Sequence, residues 1–406
     1  MKGKKEENNL MEKIVSLCKR RGFVFPSSEI YGGFAGFYDY AHYGLALQNN
    51  IKNSWWKKFV DNRRDMYGIN SAIILNPKVW EATGHVANFA DPLDGKQFNT
   101  MLQTQVGAKA DEVAVSYLRP ETAQGIFINF KNIIDAFHPK LPFGVAQIGK
   151  AFRNEIAPRD FLFRQREFEQ MEIEYFVRAE DWEKYFEYWR GEMLEWMEEV
   201  GIDMNKVHEL EVEHGDRAHY SKKTIDFEFD FPFGRKELYG LAYRTDFDLK
   251  NHKLEYIDEE QGEKITPHVI EPSMGVDRSV LALLLSAYTE DERDEEVREY
   301  LKLKPNIAPV ICAVSPLLKN KSELVEYANV KVFAPLKAEF GRVIWDDNGN
   351  IGKRYRRQDE IGTPFCIVVD FDTLADDTVT VRDRDTGSQE RIKVADLEKY
   401  IKERIK

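Results

Sequence analysis

Cysteine is scarce in this chain, and its spacing excludes a good deal. The three thiols, Cys18, Cys312 and Cys366, lie far apart in 406 residues, and no CxxC pair occurs. Neither a disulfide framework nor a zinc ribbon is implied, so no structural zinc is expected. Long apolar runs are missing too. The longest lies near Leu281 to Leu285, too short to cross a bilayer, so no membrane partner is expected. The opening MKGKKEENNLMEK is charged and has no apolar signal core. A reducing cytoplasmic location is the expectation. Positive charge is in deficit: 58 Lys and Arg stand against 70 Asp and Glu, a net charge of −12. That balance argues against a protein that coats nucleic acid nonspecifically, while leaving room for a local basic patch. Internal repeats and low-complexity segments are absent as well.

What is present is a globular composition, 43% hydrophobic and 32% charged, long enough for two or three domains. Apolar spacing predicts helices over 10–22 and 44–60, with the glycine- and aromatic-rich IYGGFAGFYDY between them. SAIILNPKVW at 71–80 reads as a buried strand broken by Pro77. ETAQGIFINFKNIIDAF reads as a helix whose first turn carries Glu121. Residues 181–200 form an amphipathic helix whose Trp182, Phe186, Trp189, Met193, Trp196 and Met197 are expected to serve packing. TIDFEFDFPF and KELYGLAYRTDFDL should be strands. HVIEPSMGVDRSVLALLLSAY reads as strand, turn and buried helix. The charged, proline-interrupted stretch 289–309 suggests a linker near 303–307, followed by about a hundred residues in which strands and helices alternate.

The most informative stretch is VAQIGKAFRNEIAPRDFLFRQREFEQMEIEYF at 145–176. Two alternating runs flank a loop containing Pro158, Arg159 and Asp160, which predicts a long hairpin. On one run Gln147, Arg153 and Glu155 share a face with Gly149 and Ala151. On the other, Arg166, Phe168, Gln170, Glu172 and Glu174 share one. Two readings of this face stand side by side. It is a solvated face laced with cross-strand ion pairs, or a polar floor that holds a charged, planar ligand.

FRNE at 152–155 with FRQREFEQMEIE at 163–174 resembles motif 2 of the class II aminoacyl-tRNA synthetases, in the form found in glycyl-tRNA synthetases. EPSMGVDR at 271–278 resembles motif 3 of the same enzymes. RPETAQGIFINF at 119–130 and RTDFDL at 244–249 also match. The resemblance runs from VSLCKRRGFVFPSSEIYGG to IGKRYRRQDEIGTPFC, nearly the whole chain. It implies an α+β catalytic domain on an antiparallel sheet over residues 1–303, followed by a small α/β anticodon-binding domain over 307–406. Motif 1 would lie at about 44–80 and form a homodimer, motif 2 at about 145–176, and motif 3 at about 266–288. The implied substrates are ATP with Mg2+, glycine and tRNA(Gly).

Carried over residue by residue, the resemblance makes Arg153 and Arg278 the catalytic arginines. Arg153 would hold the α-phosphate, and Arg278 would cover adenine and reach the γ-phosphate. Glu155 would accept from the adenine amino group, and Phe168 would stack beneath the ring. Asn154, the run Phe163, Arg164, Gln165, Arg166 and Glu167, and then Gly275, Val276 and Asp277 complete the ATP site. Glu237 would bind magnesium or ribose beside the backbone of Leu238. The glycine pocket would draw on Glu121, Glu172 and Glu271 for the ammonium, and on Ser273 to fill the space of a side chain. Phe168, Glu169, Gln170, Met171, Pro272, Met274 and Gly275 would form its walls. The basic run Lys353, Arg354, Arg356 and Arg357 would contact the anticodon. His85 and His219 read as structural.

Two departures from the family stand out. Bacterial members carry an insertion of several dozen residues, with an arginine, where this chain closes the gap through Asp94, Gly95 and Lys96. Ala41, His42 and Tyr43 stand where a Gly-Pro-Leu is common. Two other readings compete: a class II synthetase for proline or threonine, and a non-catalytic accessory subunit. The carboxylate set argues against the first. The retained Arg153, Glu155, Phe168 and Arg278 argue against the second.

Overall fold

Alternating polar and apolar residues build a seven-stranded sheet from β1 (Met66–Gly68), β2 (Phe143–Phe152), β3 (Glu167–Val177), β4 (Val207–Glu211), β5 (Lys223–Phe231), β6 (Gly234–Thr245) and β7 (His268–Gly275). The spatial order is β4-β5-β6-β7-β3-β2-β1, antiparallel except for the β1–β2 pair. The computed structural model describes residues 2–93, 96–107, 114–215, 217–218, 220–258, 262–293 and 296–405. The Asp94–Gly95 closure and His219 lie outside the described residues.

One sheet face is apolar. Met171, Ile173, Tyr175, Leu241, Ile270 and Met274 are buried against three helices: α1 (His42–Trp56), α2 (Trp182–Val200) and α3 (Val276–Ala287). The aromatic stripe of α2 is spent on packing. Phe186, Trp189, Met193, Trp196 and Met197 are buried, and Trp182 stacks on Tyr243 with centroids 4.2 Å apart. The entry to α1 needs its glycine. A Cβ on Gly44 would lie 1.9 Å from the Phe23 carbonyl oxygen. Ala41 precedes α1, while His42 and Tyr43 open its first turn.

Three sequence expectations change. Residues 71–80 are not a buried strand: only Ile74–Leu75 pair, Ile74 is exposed, and a helix begins at Pro77. Proline suits the first helical position because it lacks the N–H that would go unpaired there. The Asn76 side chain caps that helix by accepting from Lys78 N at 3.0 Å. Glu121 stands before its helix rather than in the first turn, which starts after Thr122. The charged stretch ahead of the linker expected near 303–307, read without regular structure, forms a hairpin, Tyr288–Arg293 paired with Glu296–Leu301. Leu303, Ile307, Ala308 and Val310 then pack into the first core.

A second core follows. Strands Val343–Trp345, Cys312–Pro316 and Phe365–Val369 run parallel, with Thr378–Asp383 and Gln389–Lys393 added antiparallel. The basic run lies on a helix, α4 (Ile351–Glu360). Its Asn350 cap accepts from Lys353 N at 2.9 Å. On α4 only Lys353 and Arg356 of the basic residues are well exposed. Arg354 is buried, donating to the Gly349 and Pro316 carbonyls, and Arg357 pairs with Asp346 at 2.6 Å. Beyond them Asp359 and Glu360 tie α4 to the first domain. Arg298 of the hairpin bonds Asp359 at 3.0 Å and Asp291 at 2.7 Å, Arg382 joins Asp359 at 2.8 Å, and Arg20 and Arg21 reach Glu360.

Candidate functional site

The polar face of the sheet forms the floor of a cavity of about 340 Å³. Strand register explains its composition. Gln147, Glu172, Ser273, Gly240 and Asp226 are successive cross-strand partners, so one row across five strands carries a carboxylate, a hydroxyl and a glycine side by side. In the next row towards the loop lie Gly149, Gln170 and Gly275. Arg119 lies directly on Gly149, where a Cβ would come 2.2 Å from its guanidinium.

At one end are the arginines and rings. Arg153 lies just past the end of β2, where its N–H extends the ladder to Arg166 O at 2.9 Å. Its guanidinium sits 5.2 Å from the Phe89 ring centroid and 5.3 Å from that of Phe168, and it donates to Pro120 O at 3.0 Å. Arg164 pairs with Glu155 at 2.6 Å. Arg278, in the first turn of α3, lies 4.6 Å over the Phe163 ring and reaches Glu237 at 3.3 Å. Asp226 faces the same end, its carboxyl pushed up to about 7 by burial and by the charges of Glu237 and Glu228.

At the other end four carboxylates converge. Glu172 accepts from Ser273 at 2.9 Å and from Thr122. Burial pushes its pKa up, and the charge of Glu121 adds to that. Glu121 stands 3.2 Å from His85 Nε2. Burial would raise Glu121, but His85, Arg244 and Arg153 outweigh it and hold the carboxyl below the ordinary range. Glu271 pairs with Arg244 at 2.8 Å, while Arg244 also forks onto Asp248 at 2.8 and 2.9 Å and stacks 3.7 Å over Tyr220. Glu174 is buried behind Glu172 and Glu271. Fixed carboxylates at one end and fixed guanidinia at the other suit a ligand with an ammonium and a polyphosphate, held in orientation before reaction.

Comparison with known proteins matches each of the two cores to a domain family. Residues 108–288 match the tRNA synthetase class II core domain (G, H, P, S and T), and residues 311–404 match the anticodon binding domain. A glycine–tRNA ligase of Thermus thermophilus is 43% identical over 500 aligned residues, 98% of this chain and 99% of the relative. Those of Lachnospira eligens and Treponema denticola are 44% identical over 462 and 441 residues, each across 98% of this chain and 99% and 97% of the relative. The chain belongs to the glycine–tRNA ligase family. The aligned lengths exceed its 406 residues, so these ligases carry segments that it lacks.

Around the ligase cavity the structure gathers Arg153, Glu155, Phe163, Arg164, Gln165, Phe168, Glu237, Leu238 and Arg278 at one end. Glu121, Glu169, Gln170, Glu172, Glu271, Ser273, Gly275 and Asp277 complete it. Others named from sequence lie off the cavity. Met171, Met274 and Val276 face the apolar core, and Pro272 is buried beside them in β7. Asn154 is anchored through its backbone to Thr100, and Glu167 pairs with Lys150. Arg166 spends its guanidinium on the Glu155 and Ala35 carbonyls. Asp277 lines the cavity yet is engaged with Tyr40 and Glu169 N. Sequence reasoning gave no role to Arg244, Tyr220, Asp226, Thr122 or Arg217. RTDFDL contained Arg244, and an arginine followed four residues later by an aspartate, the spacing of an ion pair, was the signal available there.

Proposed function

We propose that the chain is a glycine–tRNA ligase that activates glycine with ATP and passes the glycyl group to the 3′ end of tRNA(Gly). The observation that carries this is the convergence of Glu121, Glu172 and Glu271 with Ser273 at one end of a cavity whose other end holds Arg153, Arg164 and Arg278. In the first step the glycine carboxylate attacks the α-phosphorus, and pyrophosphate leaves with the electrons of the broken P–O bond. In the second, the terminal ribose hydroxyl of tRNA attacks the carbonyl of glycyl-adenylate, and AMP leaves. Neither step needs a protein nucleophile. Charge stabilisation and orientation supply the acceleration.

In this reading Arg153 holds the α-phosphate, with Phe89 and Phe168 fixing its plane. Phe168 also supports adenine, and Arg278 leaves Phe163 to cover the other face. Glu155 accepts from the adenine amino group. The ammonium of glycine is held by Glu121, Glu172 and Glu271, while Ser273 and Gln170 close the space a β-carbon would need. One methyl group is worth only about 1–3 kcal/mol of discrimination, so the wall must exclude as well as bind. Glu237 and Asp226 present hard oxygen donors that fit Mg2+, which would neutralise polyphosphate charge. Lys353 and Arg356 are the exposed cations of α4 offered to the anticodon. The enzyme acts in the cytoplasm, as a homodimer built on residues 44–80, whose second copy would cover exposed Ile73 and Ile74.

The test is amino-acid-dependent exchange of labelled pyrophosphate into ATP. Glycine should stimulate it and alanine or serine should not. Equal stimulation by alanine would overturn the assignment of the pocket.

A further inference from the structure

Glu174 is the one carboxylate of the acidic cluster that the reaction above does not use. It is fully buried, and neither of its oxygens has a hydrogen-bond partner among the described residues. It shares the face of β3 with Glu172, two residues on, and oxygens of Glu172, Glu174 and Glu271 lie within 4.8 Å of one another. Its neighbours are better provided for. Glu172 has Ser273 and Thr122, Glu121 has His85 and Gln124, and Glu271 has Arg244. Arg244 commits three of its five N–H groups to Asp248 and Glu271, and none is bonded to Glu174. An ionised carboxylate with no donor, buried against two more carboxylates, is among the costliest arrangements a fold can hold. A protonated one removes that repulsion and offers a donor to its neighbours.

We propose that Glu174 is a positioning residue of the glycine pocket: it keeps its proton at working pH, and as a neutral acid behind Glu172 and Glu271 it sets the negative charge the pocket presents to the ammonium. The inference rests on the glycine-binding reading of that pocket. Burial first, then the charge of Glu271, pushes the Glu174 carboxyl well above the ordinary range, in keeping with the geometry. The charged and titratable groups around it are Glu172 on its own strand, Glu271 on β7, Arg244 on β6 and Asp248 just beyond. Glu121, with His85 behind it, Tyr220 and Arg119 form the next ring. Ionisation of Glu174 at alkaline pH would add a repelling charge to Glu172 and Glu271, separate them and weaken their common grip on the ammonium.

The test compares full-length wild type and Glu174→Gln, whose amide matches the neutral acid in shape and charge. The readout is the KM for glycine and the KM for ATP in pyrophosphate exchange across neutral to alkaline pH. Near pH 7 the variant should hold its glycine KM close to wild type. As pH rises, the wild-type glycine KM should climb with the ATP KM steady, and the variant should lose that climb. An increase of about tenfold or more in the variant's glycine KM at pH 7 would mean that a full charge had been removed, and would overturn the proposal. So would a variant that keeps the wild-type pH profile. A second measurement requires no activity. The infrared spectrum of ligand-free wild type minus that of Glu174→Gln should show the carbonyl stretch of a protonated carboxylic acid at pH 7, the contribution of Asp226 being common to both, and absence of that difference band overturns the idea. Wild type that shows the band but no glycine-stimulated exchange would instead count against the glycine-ligase reading.

Discussion

Arg278 illustrates what one residue does here. It leaves the first turn of α3, rests on Phe163 and reaches Glu237, and it is neither part of the core nor needed for a strand. Replacing it by alanine removes a charge aimed at the phosphate end of the cavity. Pyrophosphate exchange in Arg278→Ala is therefore expected to fall by about a hundredfold or more, a typical cost for one transition-state donor. Its thermal midpoint should stay close to wild type. A rate within a few fold of wild type, with matching melts, would show that the guanidinium does not act on the reaction. The sequence made this residue legible because motif 3 surrounds it with neighbours in the chain. Arg244, Tyr220 and His85 were not legible in the same way. Their importance comes from partners such as Glu271 and Glu121, which only the folded sheet brings to them.

Elements show the same division. The β2–β3 hairpin could be read because Gln170, Glu172 and Glu174 alternate with Met171, Ile173 and Tyr175 on its second arm and Pro158 marks the turn, and its observed register runs from Phe143–Phe176 to Phe152–Glu167. The hairpin at 288–301 could not, because TEDER and EVREYL carry charge on both faces. Its order depends on the buried Arg298 and on a neighbouring domain. The loop joining β2 to β3 is held from outside. Asp160 and Phe161 adopt positive φ values of 60° and 55°, conformations that cost such residues energy unless their surroundings impose them. Gly36, itself at φ 82°, is part of those surroundings. Its carbonyl accepts from Arg166 N at 2.9 Å, and a Cβ there would meet the Pro158 Cβ at 2.6 Å. Gly36→Ala should push this loop outward at a cost of about 1–3 kcal/mol. The KM for ATP should rise more than that for glycine, since the loop carries Arg164 and Glu155 but none of the ammonium-binding glutamates. A rise in glycine KM alone would contradict this.

On the scale of the whole molecule, two cores are joined by buried charge. Arg298, Asp359 and Arg382 form a chain from the 288–301 hairpin into the second domain. Removing one partner of a buried pair leaves the other unsatisfied, at about 3–5 kcal/mol. Arg298→Ala should thus loosen the junction and lower tRNA charging much more than glycine-dependent pyrophosphate exchange, whose proposed site is lined by the first domain alone. Equal losses in both would mean that the junction supports the first domain's fold rather than its alignment with the second. The homodimer is tested separately by sedimentation. A second copy that covers Ile73 and Ile74 should keep the protein dimeric at micromolar concentration, and Ile74→Glu should shift it towards monomer. A wild type that sediments only as monomer would refute the interface.

Helix α4 has a consequence of a different kind. Its ten residues span about 15 Å at the usual rise per residue. The exposed Lys353 and Arg356 lie towards one end, while Asp359 and Glu360 at the other are fastened to Arg298, Arg20 and Arg21 of the first domain. A part fastened to the first domain at one end and presenting exposed cations along the rest works like the jaw of a caliper. On the proposed reading, the distance from anticodon to acceptor end is then measured by the protein rather than accommodated by it. Shortening or lengthening the anticodon arm by a base pair should be penalised even where every recognised nucleotide is kept.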